Sequence, residues 1–167
     1  MTRLIDTISR WLSTASVAVS VVMFALMLAA LTYQVVARYI FNAPPVWAEE
    51  FSMALFTWVV LLMGSVGVRE GIHVYLDLWP DSTPWVIQYV LERFVQLVTL
   101  GVGLMLADSG WEYVLDTEGQ VSAAINYPIE ALHSAAPVAG VLITVHALAA
   151  LLKPSKMAAS ERQVPTS

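Results

Sequence analysis

A chain of 167 residues with 58% hydrophobic and only 13% charged side chains, at a mean hydropathy of +0.70, is too poor in charge to be an ordinary water-soluble globule, in which about 25% of residues are charged. The absence of cysteine excludes a disulfide framework, a thiolate metal site and thiol exchange chemistry. A net charge of −5 with eight Lys and Arg leaves no concentrated basic surface for nucleic acid, so the partner of most of this surface is the lipid bilayer.

A spanning helix needs about 20 mainly apolar residues to cross a ~30 Å hydrocarbon core. The first candidate runs from Trp11 to Ala37, 27 uncharged residues between Arg10 and Arg38. It exceeds the roughly 7–15-residue apolar region of a signal peptide, so an uncleaved first span over about 11–37 is expected. The second holds 18 uncharged residues from Phe51 to Val68, and Trp47 and Ala48 lengthen it by about a turn, giving about 48–68. The third is short, with only Phe94 to Ala107 uncharged. Thr83 and Pro84 read as an N-cap and first helical position, which lets this helix carry Glu92 and Arg93 at one headgroup layer and cross over about 92–111. Asp108 then falls close to the opposite surface, with Trp111 and Tyr113 as belt aromatics. The fourth, Ala131 to Leu152, has 22 residues with Pro137, His133 and His146 inside it.

The expected fold is therefore an all-α integral membrane protein with four transmembrane helices in residues 1–153. The Ser-, Ala-, Pro- and Lys-containing tail 154–167 is expected to be disordered. Four spans put both termini on one side. Leaving out Arg93 at its own headgroup layer, placing that side in the cytoplasm leaves six Lys or Arg inside, namely Arg3, Arg10, Arg69, Lys153, Lys156 and Arg162, against Arg38 outside, as the positive-inside rule requires.

The connections carry the remaining signals. Between spans one and two, Tyr39, Phe41 and Trp47 read as belt aromatics, Asn42 and the prolines as a turn, and Glu49 and Glu50 as acids favoured at a helix N-terminus. Arg38 is also placed to pair with Glu49 or Glu50 across that turn, fixing the hairpin or holding a partner protein. The segment Glu70 to Trp79 is too apolar for a free loop and too short to cross, so an interfacial position is expected. His73 within it reads as a ligand, a proton carrier or a satisfied polar contact. Asp108, Glu112 and Asp116, at four-residue spacing, share one helical face, either solvated or a docking surface for a basic patch on a partner. Ala136, Gly140 and Thr144, with Gly64, Gly67, Gly101, Gly103 and Ala107, are small positions that allow helices to approach closely, within the chain or across to another subunit.

No catalytic constellation, cofactor site or metal site is expected. Haem held by His pairs is disfavoured because His73 lies in a loop, while His133 and His146 sit ~20 Å apart along one helix. A small autonomous transporter would want a carboxylate buried in a span, and spans one, two and four have none.

The string Arg38-Tyr39-x-Phe41-Asn42-x-Pro44-x-x-Trp47-x-Glu49-Glu50 resembles the signature of the small membrane subunit of tripartite ATP-independent periplasmic (TRAP) transporters, the DctQ-like family. A second block, Gly64, Gly67, Val68, Arg69, Glu70, His73, Val74 and Asp77, is similar to that family's second-span end and following loop. Through spans three and four the resemblance rests on length, the proline in the last span and the basic tail. The resemblance implies a scaffold subunit in the bacterial inner membrane. It would brace a large multi-span permease that takes up an organic acid delivered by a periplasmic substrate-binding protein, driven by a sodium gradient. It implies no substrate contact by the small subunit itself.

Overall fold

The computed structural model describes residues 2–43, 45–71 and 85–152, so His73, Asp77, the Glu70 to Trp79 segment beyond Gly71, the Thr83 and Pro84 cap and the tail 154–167 lie outside the described residues. Helices α1 (Thr2–Ile40), α2 (Val46–Glu70), α3 (Trp85–Asp116), α4 (Glu130–His133) and α5 (Ala135–Leu151) follow in chain order. Four helical stretches, Leu4–Ile40, Val46–Glu70, Val86–Asp116 and Glu130–Leu151, are long and apolar enough to cross a membrane. Among the described residues no strand forms, and the architecture is all-α.

α1 and α2 make an antiparallel hairpin whose seam is written in small residues. On α1 the buried positions Ser9, Ser13, Ser16, Ser20, Met27, Ala30 and Ala37 recur at alternating intervals of four and three, or multiples of seven. On α2, Ala48, Ser52, Leu55, Leu62 and Val66 keep the same register. That is the spacing of two helices interlocking along one stripe. Lipid tails are as apolar as Leu, so helices in a bilayer gain little by hiding Leu from them. Small side chains that bring backbones together gain dispersion contact instead.

The second seam joins α3 to α5. A Cβ added at Gly103 would lie 2.8 Å from Thr144 Oγ1, and one at Gly110 2.8 Å from the Pro137 nitrogen. Gly140 in turn is pressed against the backbone of Ala107. Five of the small positions expected from sequence, Gly103, Ala107, Ala136, Gly140 and Thr144, thus serve packing within the chain. Gly64 and Gly101 face open space, with nothing within 4 Å of an added Cβ. α5 packs against α2 as well as α3, which makes it the shared helix, and Ala135, Ala139, Gly140, His146, Ala147 and Ala149 along it are buried.

The break between α4 and α5 has a local cause. Pro137 has no N–H to offer the carbonyl of His133 and its ring crowds that carbonyl, so the helical ladder is interrupted there. Ser134 keeps right-handed dihedrals (φ −62°, ψ −15°), and its amide still reaches the Glu130 carbonyl at 2.8 Å, so the two pieces run on in one direction.

The contact at Gly140 predicts a sharp asymmetry between glycines. Gly140→Ala should cost about 1–3 kcal/mol, as overpacking does, and lower the thermal midpoint of the detergent-solubilised chain. Gly101→Ala should leave it unchanged or slightly raised, and scanning fluorimetry on the six tryptophans reads both.

Candidate partner interface

At the turn between α1 and α2, the amides of Phe41 and Ala43 both return to the carbonyl of Ala37, at 3.2 Å each. Asn42 adopts φ 49°, a left-handed conformation that Asn tolerates better than most residues, and Pro45 then leads into α2 in an extended conformation. Aromatic rings clamp the turn. Trp47 stacks on Tyr33 with centroids 5.8 Å apart and meets Phe51 edge-on at 6.4 Å. Arg38, Tyr39 and Glu49 are exposed, and among the described residues no ion pair joins Arg38 to Glu49 or Glu50.

Glu50 is engaged elsewhere, across the bundle. Its carboxylate accepts a short hydrogen bond from the Ser122 hydroxyl, and the Ala124 amide approaches its two oxygens at 3.1 and 3.2 Å. The loop it holds is a miniature hairpin. Val121 and Pro128 form an antiparallel bridge, Ser122 N–H donates to the Tyr127 carbonyl at 2.9 Å, and Ile129 N–H donates to the Gln120 carbonyl at 3.0 Å. Positive φ at Gly119 (78°) and Asn126 (52°) turns the chain at its base and tip, and the Gly119 amide donates to Glu130 Oε1 at 2.6 Å.

Below this hairpin, Thr117 Oγ1 meets His133 Nδ1 at 3.0 Å, and the His133 ring packs on Tyr113 at 4.3 Å. Trp58 Nε1 donates to the Ala131 carbonyl at 3.0 Å, tying α2 to the entry of the last span. An open cavity of about 340 Å³ lies between Glu50, Tyr113, Thr117, Tyr127 and His133. Burial, and secondarily the neighbouring Glu50 charge, push the Tyr127 phenol above its usual range, so it stays a neutral donor.

A second polar group gathers at the opposite end, where α1, α2 and α5 meet. Arg69 Nη1 donates to Ser9 Oγ at 3.0 Å, Ser9 Oγ lies 2.8 Å from Nδ1 of the buried His146, and Asp6 sits 4.0 Å from the same guanidinium. Gly71, at φ 73°, closes α2 by returning its amide to the carbonyls of Gly67 and Val68. On α3, Arg93 Nη1 donates to the carbonyl of Leu151 at 2.7 Å, capping α5, and its guanidinium lies 5.4 Å from the Tyr89 ring centre.

Of the residues singled out in sequence, Glu50 and Arg69 are thus the ones that fasten helices together, each at its own end. Trp47 and Asn42 shape the turn, while Arg38, Tyr39, Glu49 and Gly64 stay on the surface. Asp108, Glu112 and Asp116 are likewise exposed. Sequence reasoning missed Ser9, Ser122, Thr117 and His146 as polar partners. The serine register on α1 was the available signal for Ser9; nothing local marks Ser122.

Removing the Glu50 carboxylate strands the Ser122 hydroxyl and the Ala124 amide. Glu50→Ala is expected to cost about 1–3 kcal/mol and to open residues 118–129 to limited proteolysis. Glu50→Gln, which keeps an acceptor, should lose less, and Glu49→Ala should stay within about 0.5 kcal/mol of the parent.

The family described as "Tripartite ATP-independent periplasmic transporters, DctQ component" matches residues 27–156. The chain is similar to the sialic acid TRAP transporter small permease protein SiaQ of Vibrio cholerae, 27% identical over 137 residues that cover 78% of this chain and 75% of SiaQ. It is also similar to the sialic acid TRAP transporter permease protein SiaT of Haemophilus influenzae, 28% identical over 110 residues that cover 66% of this chain but only 18% of SiaT. The C4-dicarboxylate TRAP transporter small permease protein DctQ of Vibrio cholerae is 28% identical over 79 residues, 47% of this chain and 34% of that one. With more than three quarters of its length matched and four helices able to cross a bilayer, the chain belongs to the DctQ family of small TRAP transporter subunits and is a multi-pass membrane protein.

Proposed function

We propose that this chain braces the large permease subunit of a TRAP importer in the bacterial inner membrane, both termini in the cytoplasm, and that it carries no catalytic or substrate site of its own. The observation that carries this reading is the match to SiaT. A stretch like this chain makes up 18% of a protein named as a permease, so there it shares one polypeptide with a far larger remainder. A separate chain of this kind has the same need for a large neighbour.

The geometry agrees with a brace. Glu50 is spent on the hairpin loop and Arg69 on Ser9, polar contacts within the chain that stiffen both ends of the bundle. Apolar side chains of α1 and α3 such as Val21, Val22, Leu97 and Met105 stay exposed for lipid or for a partner. On this reading a periplasmic binding protein supplies an organic acid to the permease and a sodium gradient drives uptake. The names of the relatives, which mention sialic acid and C4-dicarboxylates, support a carboxylate as the solute class.

A C-terminally tagged chain, extracted gently from native membranes, should bring down one much larger multi-span protein in stoichiometric amount, and cells lacking the chain should lose uptake of the acid. Recovery of the chain alone, as a homo-oligomer that moves solute in liposomes, would overturn the scaffold reading in favour of an autonomous transporter. Because the chain has no cysteine, single substitutions report topology. Glu118→Cys should react with an impermeant maleimide on intact cells, and Lys156→Cys should react only after lysis.

A further inference from the structure

The depth of Asp108 sets it apart from the other carboxylates. Two helical registers fix it independently. Arg93 is bonded to the last carbonyl of α5, Leu151, and Asp108 lies 15 residues farther along α3, about 22 Å at 1.5 Å per residue. From the other end, its neighbour Ala107 is pressed against Gly140, which lies 10 residues, about 15 Å, into the last span from the Glu130 carboxylate that holds the hairpin loop. The two polar levels are thus about 37 Å apart, more than a hydrocarbon core of about 30 Å, so wherever the core lies between them Asp108 falls roughly 8–15 Å below its nearer face, not at its surface as the sequence alone suggests.

Three features prevent this carboxylate from escaping to water. Cα–Cβ bonds tilt toward a helix N-terminus, so on α3 the Asp108 side chain leans away from the near surface and toward the membrane centre. Asp has too short a stem to reach a headgroup layer, as Lys or Arg can. The chain supplies no partner either: Asp108 is exposed on the side of α3 away from the Gly103, Ala107 and Gly110 seam, and no hydrogen bond or ion pair to it is found among the described residues. An exposed, unpaired carboxylate at this depth is costly, and a neighbour that neutralises it removes that cost.

The neighbour's chemistry follows from the charge. A second copy docked on the same face by a two-fold axis would set Asp108 against Asp108, two like charges in a low dielectric. A second copy in any other pose offers no cation at this depth, since the Lys and Arg of this chain lie outside the uncharged cores of the spans. We propose that the face of α3 bearing Asp108, with the open Gly101 and the exposed Met105 beside it, docks a spanning helix of the large permease, and that a Lys or Arg side chain of that helix meets the carboxylate. This rests on the brace reading above, and the variants separate its failure from the failure of that reading.

The test compares Asp108→Asn, Asp108→Leu and Asp108→Lys, each carrying the C-terminal tag, in native membranes. Chain levels in the membrane should hold or rise for Leu, because a charge has left an apolar face. The permease recovered with the chain should fall several-fold for Leu, at least tenfold for Lys, which opposes the partner's cation, and least for Asn, which keeps an acceptor. Val60→Leu on the exposed face of α2 serves as the control and should recover the permease fully. Equal recovery by Asp108→Lys and the parent would overturn the proposal and assign Asp108 to lipid or water. Failure of the parent chain itself to recover any permease would overturn the brace reading instead.

Discussion

Everything in this bundle follows from the lack of a hydrophobic incentive for one helix to touch another in lipid. With apolar solvent on all sides, the contacts that remain favourable are close backbone approach and polar groups with nowhere else to go. The first explains why Ser, Ala and Gly dominate the seams, with a few larger residues such as Leu55, Leu62 and Val66 among them, while most Leu, Val and Phe stay outside. The second explains why Glu50 and Arg69, at opposite ends of α2, are each the hub of a cross-helix polar group.

α5 shows how these two forces divide the work. Along one flank it is held to α3 by glycine and alanine, where approach is limited only by backbone contact. Along the other, His146 meets Ser9 of α1 through a hydrogen bond, and in α4, just ahead of α5, the Ala131 carbonyl accepts one from Trp58 of α2. Packing alone leaves two hairpins free to slide; hydrogen bonds at fixed heights set their register. The exposed faces of α1 and α3 are then presented by a body fastened at both ends.

Span number and the helical class were legible because charge-free length is a count, and the count is imposed by the thickness of the bilayer. The family was legible from the turn and from the end of α2, where Asn42, Trp47, Glu50 and Arg69 each have a geometric task. The pairing of Glu50 was not legible. Arg38 is near it in sequence and opposite in charge, whereas Ser122 is 72 residues away and carries no local mark of a partner. The folded loop 118–129 was hidden for a related reason: its order comes from positive φ at Gly119 and Asn126 and from anchors on two other segments. The small residues were recognised, but only tertiary register separates Gly140, which seats a helix, from Gly64, which faces open space.

The Glu50 latch also imposes an order on biogenesis. Its carboxylate is synthesised with the second span, but the Ser122 hydroxyl and the Ala124 amide that it grips emerge more than seventy residues later, after the third span has threaded through the bilayer. Until then the first hairpin waits in the membrane with its acid hydrated at the surface. The nascent chain can therefore lock its two halves together only once the third span has the right orientation, and a misoriented intermediate stays unlatched.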